Sequence, residues 1–157
     1  MRTFRDSTGR MWSVALNVHE MRRIRAALGI DLVNVISLDS KGGVKVDLID
    51  RIANDPCLLA DILWVVCEAE AKAEGITDAD FGARLAGDPI DDATRALLDE
   101  LVDFFPGAKR LFLRKAVELS RKYTGEMEKA LEQALASPEL EARVRESMSS
   151  SPTSPES

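Results

Sequence analysis

The sequence holds a single histidine, His19, only two cysteines, and few aromatic residues, 5% of the chain. His19 falls in the first turn of an expected helix with no serine or cysteine nucleophile in its local pattern, so there is no triad to assemble. Cys57 and Cys67 are separated by ten positions on one expected helix, roughly 15 Å along its axis, which is beyond disulfide reach. Both thiols are expected to be reduced and packed. With no CxxC pair and no neighbouring histidines, they form no zinc pattern either. Gly42 and Gly43 belong to no strand-to-helix phosphate loop, and a flexible loop is expected there. The chain also lacks an apolar leader segment and any run of about 18 apolar residues, so neither a secretion signal nor a membrane span is expected, and the expected compartment is the cytoplasm. These absences leave no catalytic, cofactor or metal residues to nominate, and the expectation is a non-enzymatic protein.

What the chain does have is charge in blocks. Residues 1 to 30 carry +4, residues 31 to 108 carry −11, residues 109 to 123 carry +5 and residues 124 to 157 carry −4, for a net −6. A nucleic-acid binder gathers positive charge on one face to displace phosphate counterions, and the acidic middle opposes that. Alternating blocks fit solvated helical faces, a charged protein partner, or self-association into a homo-oligomer. Paired acids such as Asp78 with Asp80 and Asp91 with Asp92 sit in first helical turns, where they meet the helix dipole, and that reading is preferred to metal ligation.

The pattern along the chain predicts an α+β fold, mostly α. "RTFR" and "RMWSVALN" alternate on either side of "DSTG", which predicts a β-hairpin with Gly9 supplying a positive φ, and Trp12, Val14 and Leu16 on one face. Asn17 and Glu20 form a capping-box signature for a helix over 18–28 that ends at Gly29, with Arg22, Arg23 and Arg25 off its apolar line. "GIDLVNVISL" predicts a short turn or second helix. Asp55 before Pro56 and Asp88 before Pro89 are read as N-caps of two further helices. Thr77 and Asp80 open a short helix through Ala86, a long amphipathic helix covers about 108–136, and a last one runs from Pro138 to about Met148. "SSSPTSPES" lacks apolar side chains and is expected to be disordered. The expected organisation is thus a hairpin packed on a small helical core over 1–106, a helical extension over 107–148, and a Ser/Pro tail over 149–157.

In the helix opened by "PCLLADILWVVCEAEAKAEG", helical geometry gathers Leu58, Leu59, Ile62, Leu63, Val65, Val66 and Ala69 on one broad side, with Glu68 and Lys72 spaced to pair. Trp64 and Cys57 project beside that side. Either the long C-terminal helix covers them or a partner protein does, because aromatic residues are enriched at interface centres. The expected partner-contacting set is Trp64 and Cys57 together with Lys109, Arg110 and Phe112 at the start of the basic block.

The order of hairpin, "ALNVHEMRRIRAALGIDLVNVI", an apolar helix containing "ILW", "EGITDADFG" and a terminal amphipathic helix resembles the small tail assembly chaperones of long-tailed bacteriophages. The matching positions are Leu28 and Gly29, Leu32 to Ile36, Ile62 to Trp64, and Ile76 to Thr77. The resemblance covers about the first 105 residues and lies in plan and spacing. The loop at Gly42 and Gly43 and the charged extension from Ala108 depart from the compact pattern. The resemblance implies a non-enzymatic factor that binds the tape measure protein and helps recruit tail tube subunits in the host cytoplasm. The alternative, from a different class, is a structural virion or head-to-tail joining protein.

Overall fold

In a computed structural model of the protein, residues 1–149 are described, and they form a mostly helical α+β fold. The chain divides into two compact units, Met1–Glu118 and the segment from Leu119 onward.

The first unit opens with strands β1 (Arg2–Arg5) and β2 (Met11–Val14), paired antiparallel with Phe4 opposite Trp12. Gly9 turns the hairpin with φ 88°, a conformation that suits a residue without a Cβ. Period-two alternation then buries Phe4, Trp12 and Val14 together. Helix α1 (Val18–Leu28) starts where the Asn17 side chain accepts the Glu20 amide and stops at Gly29 in the left-handed region. Only half of the capping box forms, because the Glu20 carboxylate pairs with Arg23 instead. A single 3-10 turn follows at Leu32–Asn34, capped by the Asp31 carboxylate on the Val33 amide.

Residues 37–54 depart from expectation. In place of a flexible loop, β3 (Ser37–Leu38) pairs with β4 (Val44–Lys45) across a turn in which the Asp39 carboxylate accepts the amides of Lys41 and Gly43. Helix α2 (Asp47–Asn54) then buries Ile49 and Ile52. No helix was expected there. Its apolar face is only two buried residues wide, too short to stand out from a loop by periodicity.

Helix α3 (Pro56–Ala73) is the hub of the first unit: α1, α2, α4, α5 and β2 all pack on it. Asp55 caps it as expected, accepting the amides of Cys57 and Leu58. Helix α4 (Asp78–Ala83) begins with a complete capping box between Thr77 and Asp80 but stops short of Ala86. Helix α5 (Asp88–Phe104) runs against β1 and buries Ala93, Leu97 and Leu101. Asp88 does not cap it. Gly87, with φ 72°, takes the cap position, so Asp88 becomes the first helical residue and no side chain closes that end.

Helix α6 (Gly107–Leu135) starts after Phe105, and α7 (Pro138–Ser149) follows. The early turns of α6 bury Leu113 and Val117 within the first unit, so that unit extends to Glu118 and its edge falls inside the helix, whereas the sequence reading set the edge at 106. No residue from Leu119 to Ser149 is buried. The expected Ser/Pro tail lies outside the described residues from 150 onward. Among the described residues no helix is long and apolar enough to cross a membrane.

Candidate functional site

Three aromatic rings and an arginine stack at the junction of the hairpin, α3 and α4. Trp12 is fully buried and meets Phe81 edge-on, with centroids 5.0 Å apart, and the Arg10 guanidinium lies over the Trp12 ring, 4.3 Å from its centroid. Trp64 joins from α3, 5.6 Å from Phe81. Below the stack, the buried Asp6 carboxylate accepts the Trp12 indole N–H at 2.8 Å, the Thr8 amide and hydroxyl, and the Arg10 amide. Burial pushes the Asp6 carboxyl up, but the hydrogen bonds from Thr8, Trp12 and Arg10 outweigh it and hold the group below its ordinary value. The Arg84 guanidinium, 3.6 Å away, adds opposite charge. Arg10 is itself held by Glu70 and Glu74 of α3 and its C-terminal edge. This junction is a structural node in which the buried Arg10 Nε has no hydrogen-bond partner among the described residues.

The residues nominated from sequence separate into different environments. Trp64 is half-buried against the core and has Phe81 of α4 as its ring neighbour. Cys57 is exposed in the first turn of α3, which corrects the expectation of two packed thiols: at the second helical position its side chain points away from the side that carries Leu58 and Leu59. Cys67 is buried as expected, and burial first, then Glu70 and Glu20, pushes its thiol up to about 12. Lys109 reaches the Val33 carbonyl at 3.3 Å and sits 4.6 Å from the Phe105 ring centroid. Arg110 donates to the carbonyls of Phe105 and Asp103, the exposed acceptors at the end of α5. Arg110 thus closes the end of α5, while Lys109 ties the start of α6 to the 3-10 turn. Phe112 is 41% exposed. No hydrogen bond, ion pair or ring contact joins Trp64 or Cys57 to Lys109, Arg110 or Phe112 among the described residues.

His19 is exposed in the first turn of α1. Asp80 is engaged with Thr77, whose backbone hydrogen bond lowers its pKa. Among the described residues no group of three or more His, Cys, Asp or Glu could hold a metal ion. An open recess of about 390 Å³ between β1 and α5 is lined by Arg2, Arg5 and Arg95 facing Asp92 and Asp99. Three cations thus stand beside two carboxylates, and Phe4 and Ala96 also line the recess. The buried Glu100 serves the fold, accepting the Leu16 amide through Oε1 while Oε2 stands 3.3 Å from the Met1 ammonium, without hydrogen-bond geometry.

The surface that sequence reading did not single out is in the second unit. Leu119, Tyr123, Met127, Leu131 and Leu135 recur every four residues along α6, and each is more than half exposed. Residues four apart stand one above the other, so the five form one continuous apolar ridge. Within α7, Val144 and Met148 are exposed as well. The signal was present in the four-residue spacing. From sequence alone the helix is amphipathic and only one of two candidate covers for Trp64, because periodicity marks an apolar face without naming what lies on it.

No protein-family model, curated protein or solved structure matches the chain.

Proposed function

We propose that the chain is a non-enzymatic phage tail assembly chaperone that binds helical segments of the tape measure protein in the host cytoplasm and assists tail tube assembly. The observation that carries the reading is the ridge from Leu119 to Leu135, set in a stretch of two helices without one buried residue. Most helical stability in proteins comes from packing an amphipathic face, and a helix that leaves such a face bare is built to receive another. A contiguous apolar strip of this kind marks an interaction surface. A chaperone for a long helical protein needs such a strip on a separate support, and the packed first unit supplies the support. The order of elements over residues 1–105, shared in plan with tail assembly chaperones, supports the same reading.

Co-expression with a helical fragment of the tape measure protein tests it. The chain keeps the fragment in the supernatant, and a Tyr123→Asp/Met127→Asp variant loses that effect while remaining folded. A fragment that precipitates equally with and without the chain rejects the proposal. Retention of the chain in finished particles would instead favour a structural virion or head-to-tail joining protein.

A further inference from the structure

The ridge of α6 has charged flanks, and their sign says what kind of helix it takes. At about 100° per residue, the positions just before and just after each ridge residue lie to either side of it, and the position two away lies opposite. The flanks of the second unit's ridge therefore hold Lys122, Glu126, Glu128 and Glu132 as their charged residues, while Arg121 and Lys129 fall on the opposite face. All three glutamates of this stretch border the apolar strip, and only one of three basic residues does. The glutamates are exposed, so their charge is presented to whatever lies on the ridge.

We propose that the ridge takes an amphipathic helix of another protein whose apolar face is bordered by lysine and arginine. The inference rests on the helix-binding reading above and specifies the partner's chemistry. A second copy of this chain fits less well. In an antiparallel pair centred on Met127, each flank lies beside its own counterpart, bringing Glu126 to Glu126 and Glu128 to Glu128. In a parallel pair the Glu126 flank meets the Glu128 flank. Either arrangement sets like charges together, which disfavours the pairing, whereas a basic border satisfies all three carboxylates.

The test uses the full chain and two synthetic helical peptides about 20 residues long, long enough to form a helix on binding. Both carry leucine every fourth residue, one with lysine and the other with glutamate at the flanking positions, and binding is read by fluorescence anisotropy. The lysine-bordered peptide binds about tenfold more tightly or better, and raised salt reduces the difference. In a Glu126→Gln/Glu128→Gln/Glu132→Gln variant, whose circular dichroism matches the parent, the preference collapses. Equal affinity for both peptides, or preference for the glutamate-bordered one, with both lost in Met127→Asp, overturns the charge assignment while helix binding on the ridge stands. Binding of either peptide that Met127→Asp leaves unchanged overturns both readings. A dimer in sedimentation that Met127→Asp breaks and neither peptide displaces gives the ridge to a second copy and overturns the proposal.

Discussion

The indole of Trp12 stands edge-on to the ring of Phe81, at 85° with centroids 5.0 Å apart, which ties the N-terminal hairpin to α4. Edge-on geometry sets the positive rim of one ring against the negative face of the other, adding a directional part to the burial of two large side chains. Because Trp12 is fully buried, Trp12→Ala is expected to lower stability by about 3 to 5 kcal/mol, measured by chemical denaturation. A loss below about 1 kcal/mol would mean that the hairpin is not packed as described.

Trp64 also meets Phe81, with ring centroids 5.6 Å apart, and is half-buried. Trp64→Ala is therefore expected to cost stability, about 1 to 3 kcal/mol, and to leave binding to a tape measure helix unchanged. Parallel melting and binding measurements check both halves. Unchanged stability with weakened binding would return Trp64 to the partner surface.

Asp6 links stability to acid. Its folded pKa lies below the unfolded value of about 3.9, so its contribution is fully present above that pH and is lost as pH falls through the folded value. Asp6→Asn keeps the shape but removes the charge beside Arg84 and the acceptor strength toward Trp12. The variant is expected to melt at lower temperature at pH 7, with the gap to the parent narrowing as pH falls below about 4. A gap that stays constant as the protein is acidified below that pH would remove Asp6 from the acid response.

The two thiols should separate cleanly under a maleimide or disulfide reagent. Cys57 is exposed, whereas Cys67 is buried with its thiol pushed up to about 12. One equivalent is expected to react in the native protein and a second only on unfolding, with Cys57→Ser abolishing the native reaction. Two native equivalents would contradict the packing of α3 against β2.

Much of this architecture is written in local chemistry. Asn17 and Gly29 bracket α1, Asp55 with Pro56 opens α3, and Thr77 with Asp80 opens α4, because each device acts on backbone groups a few residues away. Asp88 with Pro89 resembled the same device. There the outcome was decided by Gly87, whose positive φ moved the helix start one residue earlier. The β3–β4 hairpin and α2 escaped notice because two-residue strands and a two-turn helix are too short to establish a period. The candidate surface was hidden for a different reason. The spacing of Leu119, Tyr123, Met127, Leu131 and Leu135 shows an apolar face, but only tertiary structure shows that nothing buries it.

The central claim is that this ridge, and not the Trp64 region, receives the partner helix. Amide hydrogen exchange of the full chain, with and without a helical tape measure fragment, tests it most directly. The account predicts that binding slows exchange in residues 119–135 and leaves α3 and α4 around Trp64 and Phe81 unchanged. Protection confined to α3 and α4, with residues 119–135 exchanging as in the free protein, would contradict it.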